Sequence, residues 1–214
     1  MSREAVLDAV RKALTPRPSA PSLPPFLDPQ AFPDLAGTFL KALEAAGGSG
    51  ELSSDSHGPV RAAHKLLVGT IAPRILLEGD RRIEAEFRKG FPEARIDTVL
   101  EPGDCAYDLA VTGADYAVAE TGTLVQISGP VRGRLPSLVP AAHLVLIPLE
   151  ALRAGLGEVL AELEAGGLGG AAATCITGPS RTADIEQVLT IGVHGPGRLH
   201  VVLGKRLSTI PPLP

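Results

Sequence analysis

Short, nearly continuous aliphatic runs alternate with helical patterns from Asp34 onward, and this alternation constrains the fold more than any other feature. The runs are Pro73–Glu78, Ile96–Leu100, a stretch from Leu109–Thr112 reaching Leu124–Ile127, then His143–Ile147, Ala171–Thr177 and Leu199–Leu203. Apolar runs bounded by turn residues read as strands covered on both faces. Between them, Asp34 caps a helix through about Ala46 that Gly47-Gly48 stops, and residues 59–68 put Val60, Ala63, Leu66 and Leu67 on one face. A charged helix follows over about Asp80–Lys89, and another near Glu150–Glu164 ends at Gly166-Gly167. The expected fold is α/β over residues 34–210, with a mostly parallel central sheet and helices on both faces.

Residues 1–33 stand apart from this pattern. Residues 3–14 read as an amphipathic helix carrying Val6, Leu7, Val10 and Leu14. The following TPRPSAPSLPPFLDPQAFP forbids helix and favours an extended path, so the first helix is tethered by a linker or a strap. It either docks on a partner or second subunit, leaving a homo-oligomer open, or frays as a terminus.

Composition narrows the function classes. Hydrophobic residues make up 44% of the 214, aromatics only 3%, and Trp is absent, so the core is aliphatic. A net charge of −4 with no Lys/Arg block argues against nucleic acid or an anionic membrane as partner. No window approaches the roughly 18 apolar residues of a membrane span, and the N-terminus lacks a signal-peptide pattern. Two cysteines, Cys105 and Cys175, fit a reducing cytosol and fall short of the four thiolates usual for an iron–sulfur cluster. The expectation is a cytoplasmic protein, and an Arg-, Ala-, Gly- and Pro-rich composition fits a GC-rich bacterial source. No phosphate-binding P-loop occurs, and Gly166-Gly167-Leu-Gly169-Gly170 follows a helix, the wrong context for a dinucleotide turn.

Polar chemistry concentrates in two places. The segment CITGPSRTADIEQVLTIGVHGPGRLHVVLG, from Cys175 to Gly204, packs Thr177, Ser180, Arg181, Thr182, Asp184, Glu186, His194 and His200 around two Gly-Pro turns. If a helix starts at Ser180–Thr182, amides, hydroxyls and the Arg181 guanidinium converge on an anion; the plainer reading, compatible with it, is that Ser180 or Thr182 caps that helix and Arg181 pairs with Asp184 or Glu186. His194, between glycines, suits proton transfer, while His200 beside Val201-Val202 reads as a core-edge histidine. The second place is Ala119-Glu120-Thr121-Gly122-Thr123, inside an apolar run that would partly bury the Glu120 carboxylate. Glu120 is there either a nucleophile or base, or a carboxylate satisfying backbone amides. Arg134 and Ser137 lie on a loop able to close over an anion. A metal held by His194 and His200 with Glu120 or Asp184 lacks any metal-ligand spacing, so none is expected.

Three stretches, ADYAVAETGTLVQ, RLPSLVPAAHLVLIP and ITGPSRTADIEQVLTIGVHGPGRLHVVLG, in this order, resemble the lactate-utilisation protein C family, whose common module is the LUD domain. The resemblance covers about residues 105–204. It implies a fold similar to the NagB/RpiA/CoA-transferase group, and a part in oxidising L-lactate to pyruvate beside iron–sulfur partner subunits. Larger LUD proteins carry a ferredoxin-like cysteine module that is missing here, so a cluster is expected only in the partners and no cofactor in this chain.

The resulting expectation is an accessory subunit with a pocket for a small carboxylate or phosphorylated ligand. Arg181 and Arg134 would hold the anion; Thr121, Gly122, Thr123, Ser137, Thr177, Ser180, Thr182 and Asp184 would line or orient it; Glu120 and His194 would be the catalytic groups. Two alternatives stand beside it. Glu120 followed by Gly122 is similar to the Glu-x-Gly nucleophile of CoA transferases, which suggests an acyl- or CoA-handling enzyme, and the loops could also serve a non-catalytic scaffold.

Overall fold

The computed structural model describes residues 2–13, 31–100, 106–129, 133–166, 172–183, 189–192, 195–205 and 207. The elements are α1 (Arg3–Ala13), α2 (Leu35–Ala45), β1 (Ser49–Ser53), α3 (Gly58–Leu66), β2 (Arg74–Leu77), α4 (Arg81–Gly90), β3 (Arg95–Asp97), β4 (Leu109–Gly113), β5 (Tyr116–Val118) and β6 (Thr123–Ser128). They continue with β7 (Ala142–Pro148), β8 (Leu152–Arg153), α5 (Leu156–Gly166), β9 (Ala172–Ile176), β10 (Arg181–Ala183), β11 (Leu189–Ile191) and β12 (Arg198–Gly204).

Local chemistry sets the boundaries. The Asp34 carboxylate accepts from the Gly37 amide at 2.9 Å and caps α2. At the other end the Gly47 amide donates to Glu44 O at 2.8 Å and the Gly48 amide to Leu43 O at 2.9 Å, with Gly47 at φ +85°. That paired closure needs a left-handed residue, which glycine supplies. Asp80 caps α4 by accepting from the Arg82 and Ile83 amides at 3.0 and 2.9 Å.

The central sheet has six strands in the order β1-β12-β7-β4-β2-β3, and every neighbouring pair is parallel. One face takes Ala62, Ala63 and Leu66 of α3 and Ile83 and Phe87 of α4 against Ile75, Leu109, Leu144 and Val202. The other face packs Val145, Ile147, Leu199, Val201 and Leu203 against Phe39 and Leu43 of α2 and against a second, mixed sheet, β8-β5-β6-β9. That second sheet is covered outside by Val159 and Leu163 of α5, which meet Val118, Val125 and Ile127. The α/β expectation holds, with an added sheet between the central sheet and α5.

Four sequence expectations give way. The run from Leu109 to Ile127 is three strands rather than one continuous stretch, and its last two pair as an antiparallel hairpin. Residues 150–155 do not open a helix, because Leu152 pairs beside Ala117 as β8; α5 starts at Leu156. The strand β9 belongs to the second sheet, beside β6, and not to the central one. Ser180–Thr182 starts no helix. The Ser180 amide donates to Pro196 O at 2.9 Å and Ser180 O accepts from the Gly192 amide at 3.0 Å, so the chain enters an antiparallel pairing with β11 instead.

Helix α1 buries none of its side chains; Val6, Leu7 and Val10 are all exposed.

Candidate functional site

Part of the polar segment does form a pocket. A cavity of about 230 Å³ is walled by Ser137, His143, Thr177, Ser180, Pro196 and Leu199, among others. It sits at the amino-terminal edge of the central sheet, since His143 and Leu199 are the second residues of β7 and β12. The edge strand β9 and the Gly178-Pro179 turn close its outer side.

Two of the lining hydroxyls, Ser137 and Thr177, are held in place. Ser137, 6% exposed, ends a 3₁₀ turn and donates from Oγ to Arg134 O at 2.8 Å. Thr177 Oγ1 lies 2.7 Å from Thr123 Oγ1, which lies 2.7 Å from Thr121 Oγ1, so three hydroxyls form a chain from the Glu120 turn to the cavity. Gly178 takes φ +83° beside the Ala46 carbonyl, where a Cβ would collide.

His143 is the group that the sequence reading passed over. Its ring is 1% exposed, and burial pushes its pKa down to about 4. Nε2 stands 2.8 Å from Thr112 Oγ1, leaving Nδ1 as the ring nitrogen for a ligand. Gln126 Nε2, on β6 of the second sheet, donates to Thr112 Oγ1 at 2.9 Å and to Gly113 O at 2.6 Å. Thr112, Gln126 and His143 each interrupt an aliphatic strand. A polar side chain at a covered strand position must be bonded, and that rule was the available signal.

The other expected residues disperse. Glu120 is exposed, contrary to the expected burial; its amide donates to Ala154 O at 3.1 Å, and its carboxylate lies over Gly155. Glu120 does not line the cavity. Arg181 is exposed and donates from Nη2 to Ala46 O at 2.7 Å, closing the end of α2 rather than facing the cavity. Arg134 is exposed on the loop before Ser137. Gly122, at φ +65°, presses on the backbone of Ala42 and Leu43. Thr182 lies in β10, whereas Asp184 and His194 fall outside the described residues. His200 is a buried core-edge histidine, with Nδ1 2.7 Å from Ser49 Oγ and a pKa lowered by burial.

Among the described residues no group of three or more His, Cys, Asp or Glu side chains is placed to hold a metal, and no helix is long and apolar enough to cross a membrane.

The family described as LUD domain matches residues 67–203. A lactate utilization protein C of Halalkalibacterium halodurans is 41% identical over 95 residues, 42% of this chain and 41% of that protein. A lactate utilization protein C of an Exiguobacterium species is 37% identical over 144 residues, 61% of this chain and 60% of that protein. The chain thus matches about half the length of these relatives. A crystal structure of a DUF162 family protein from Deinococcus radiodurans superposes with a TM-score of 0.59 at 22% identity, covering 79% of this chain and 96% of that one. That likeness shows the fold.

Proposed function

This chain belongs to the LUD domain family, and from that membership we propose that it is a lactate-utilisation protein, an accessory subunit that holds a small carboxylate during oxidation of L-lactate to pyruvate. The observation that carries this reading is the convergence of Ser137, Thr177, Ser180 and His143 on one cavity of about 230 Å³. Hydroxyls and a neutral imidazole offer hydrogen bonds to a carboxylate and to an α-oxygen without placing a second charge in the cavity. The names of the relatives supply the substrate class. Oxidation of lactate releases two electrons, which partner subunits bearing iron–sulfur clusters would accept; this chain contributes the binding.

Calorimetry with L-lactate and with pyruvate tests the proposal. Thr177→Val and Ser180→Ala are each expected to weaken binding about tenfold, the worth of a hydrogen bond to a charged group. No binding by the parent chain, or unchanged affinity in both variants, overturns it.

The exposure of the Glu120 carboxylate at the end of β5 favours a second reading, acyl transfer. There the carboxylate attacks an acyl-CoA carbonyl, forming a C–O bond as the C–S bond breaks. The released CoA thiolate then attacks the glutamyl carbonyl, freeing the carboxylic acid and leaving a glutamyl-CoA thioester that borohydride reduces. Incubation with an acyl-CoA and borohydride followed by mass measurement tests it; an unmodified Glu120 ends it.

A further inference from the structure

A second cavity, of about 560 Å³, opens at the opposite, carboxyl edge of the central sheet. Ser53 ends β1, and the segments leaving β7 and β12 contribute Leu149 and Lys205. Arg82 of α4 completes the wall, with Ser54 and Ser56 from the loop after β1. A neighbouring pocket of about 310 Å³ shares Ser56, Arg82 and Lys205 and adds Asp80, Glu86 and Glu150. Open parallel sheets take their ligands outside the carboxyl ends of their strands, because loops and helix starts gather there.

The charges of this crevice sort themselves by pairing. Asp55 accepts from Arg61 at 3.1 and 3.0 Å and from the His57 amide at 2.8 Å. Asp80 is spent on the Arg82 and Ile83 amides that open α4. Glu86 lies 3.0 Å from His57 Nδ1. Among the described residues this leaves Arg82 and Lys205 as cations without a charged side-chain partner, beside Asp80, whose carboxylate is bonded to amides, and Glu150, whose carboxylate has no partner. The first amides of α4 are already taken by Asp80, so an incoming anion there must be read by side chains.

We propose that this crevice binds a phosphate monoester, with the phosphate between Arg82 and Lys205 and a hydroxyl of its remaining part donating to Glu150. A phosphate presents two charges and three acceptor oxygens, which suits two cations and the hydroxyls of Ser54 and Ser56; a single carboxylate would leave part of that set unused. Because the site shares no residue with the hydroxyl-lined cavity at the other edge, it stands or falls apart from lactate binding.

The test is calorimetry on the whole chain at constant ionic strength, with inorganic phosphate, glycerol 3-phosphate and AMP as probes. Saturable binding of inorganic phosphate is expected, weakened about tenfold by Arg82→Ala and by Lys205→Ala. Lys41→Ala, an equal change of charge at an exposed position on α2, is expected to leave it intact. Urea midpoints close to that of the parent chain establish that these surface variants fold. Glycerol 3-phosphate is expected to bind more tightly than inorganic phosphate, and Glu150→Gln to remove the gain. AMP binding more tightly than glycerol 3-phosphate makes the source a nucleotide, and the reverse makes it a small phosphorylated metabolite. Absence of saturation, or equal losses in Lys41→Ala, overturns the site; a glycerol ester no tighter than inorganic phosphate overturns the role of Glu150.

Discussion

Thr112 Oγ1 lies 2.8 Å from His143 Nε2 and joins the adjacent strands β4 and β7 inside the sandwich of sheets. Gln126 reaches the same oxygen from the second sheet, so one hydroxyl ties both sheets to the ring that faces the cavity. Thr112→Val keeps the shape and removes the oxygen. The Gln126 amide and His143 Nε2 then lose a partner, and the expected cost is about 1–3 kcal/mol in urea unfolding. A midpoint equal to that of the parent would show that the network carries no stability.

The depressed pKa of His143 sets a pH dependence. The ring titrates at about 4 when folded, against 6.5 for the free side chain. Between these values the unfolded chain binds more protons than the folded one. Stability from this residue is therefore full above about pH 6.5 and is lost as pH falls toward 4, by up to about 3 kcal/mol. Burial moves His200 in the same direction. Urea midpoints at pH 7 and pH 5 check this, and the drop should shrink in His143→Asn.

Two glycines with left-handed backbones separate strain from crowding. Gly69 has φ +83° with open space where a side chain would go, whereas Gly122 has φ +65° and faces the α2 backbone at Ala42 and Leu43. Gly69→Ala is expected to cost about 1 kcal/mol, from the backbone alone. Gly122→Ala should lower the melting temperature much further, because α2 must also shift. Equal losses in the two variants would mean that the contact with α2 is slack.

Arg181→Ala removes the 2.7 Å bond to Ala46 O at the end of α2. The expected loss is about 1 kcal/mol in stability, read by urea unfolding. An effect confined to ligand affinity would instead return Arg181 to the anion-holding role read from the sequence.

What the sequence made legible was local in origin. Asp34, Asp80 and Gly47-Gly48 act within five residues of themselves, so α2 and α4 could be bounded by inspection. The aliphatic strands were legible too, but not the sheet each would join, because the partners that decide it, β6 for β9 and β7 for β12, come from distant parts of the chain. The misread start at Ser180 has the same cause. Hydroxyls before an acidic run satisfy the local rule for a helix, while the bonds to Pro196 and Gly192 that make it extended come from beyond that window. Ser137, Thr177 and Ser180 were found as polar residues on turns; His143 was not, since one polar residue in an aliphatic run resembles core until its neighbours are known.

The edge strand β1 has a single pairing partner in the sheet, β12, and the register sets Ser49 against His200. The two meet across 151 residues of chain. During synthesis at roughly 5–20 residues per second, β1 therefore waits about 8–30 s with its ladder unmade. This topology leaves the central sheet incomplete until its late strand β12 is made, so its closure is slow even where each helix forms at once.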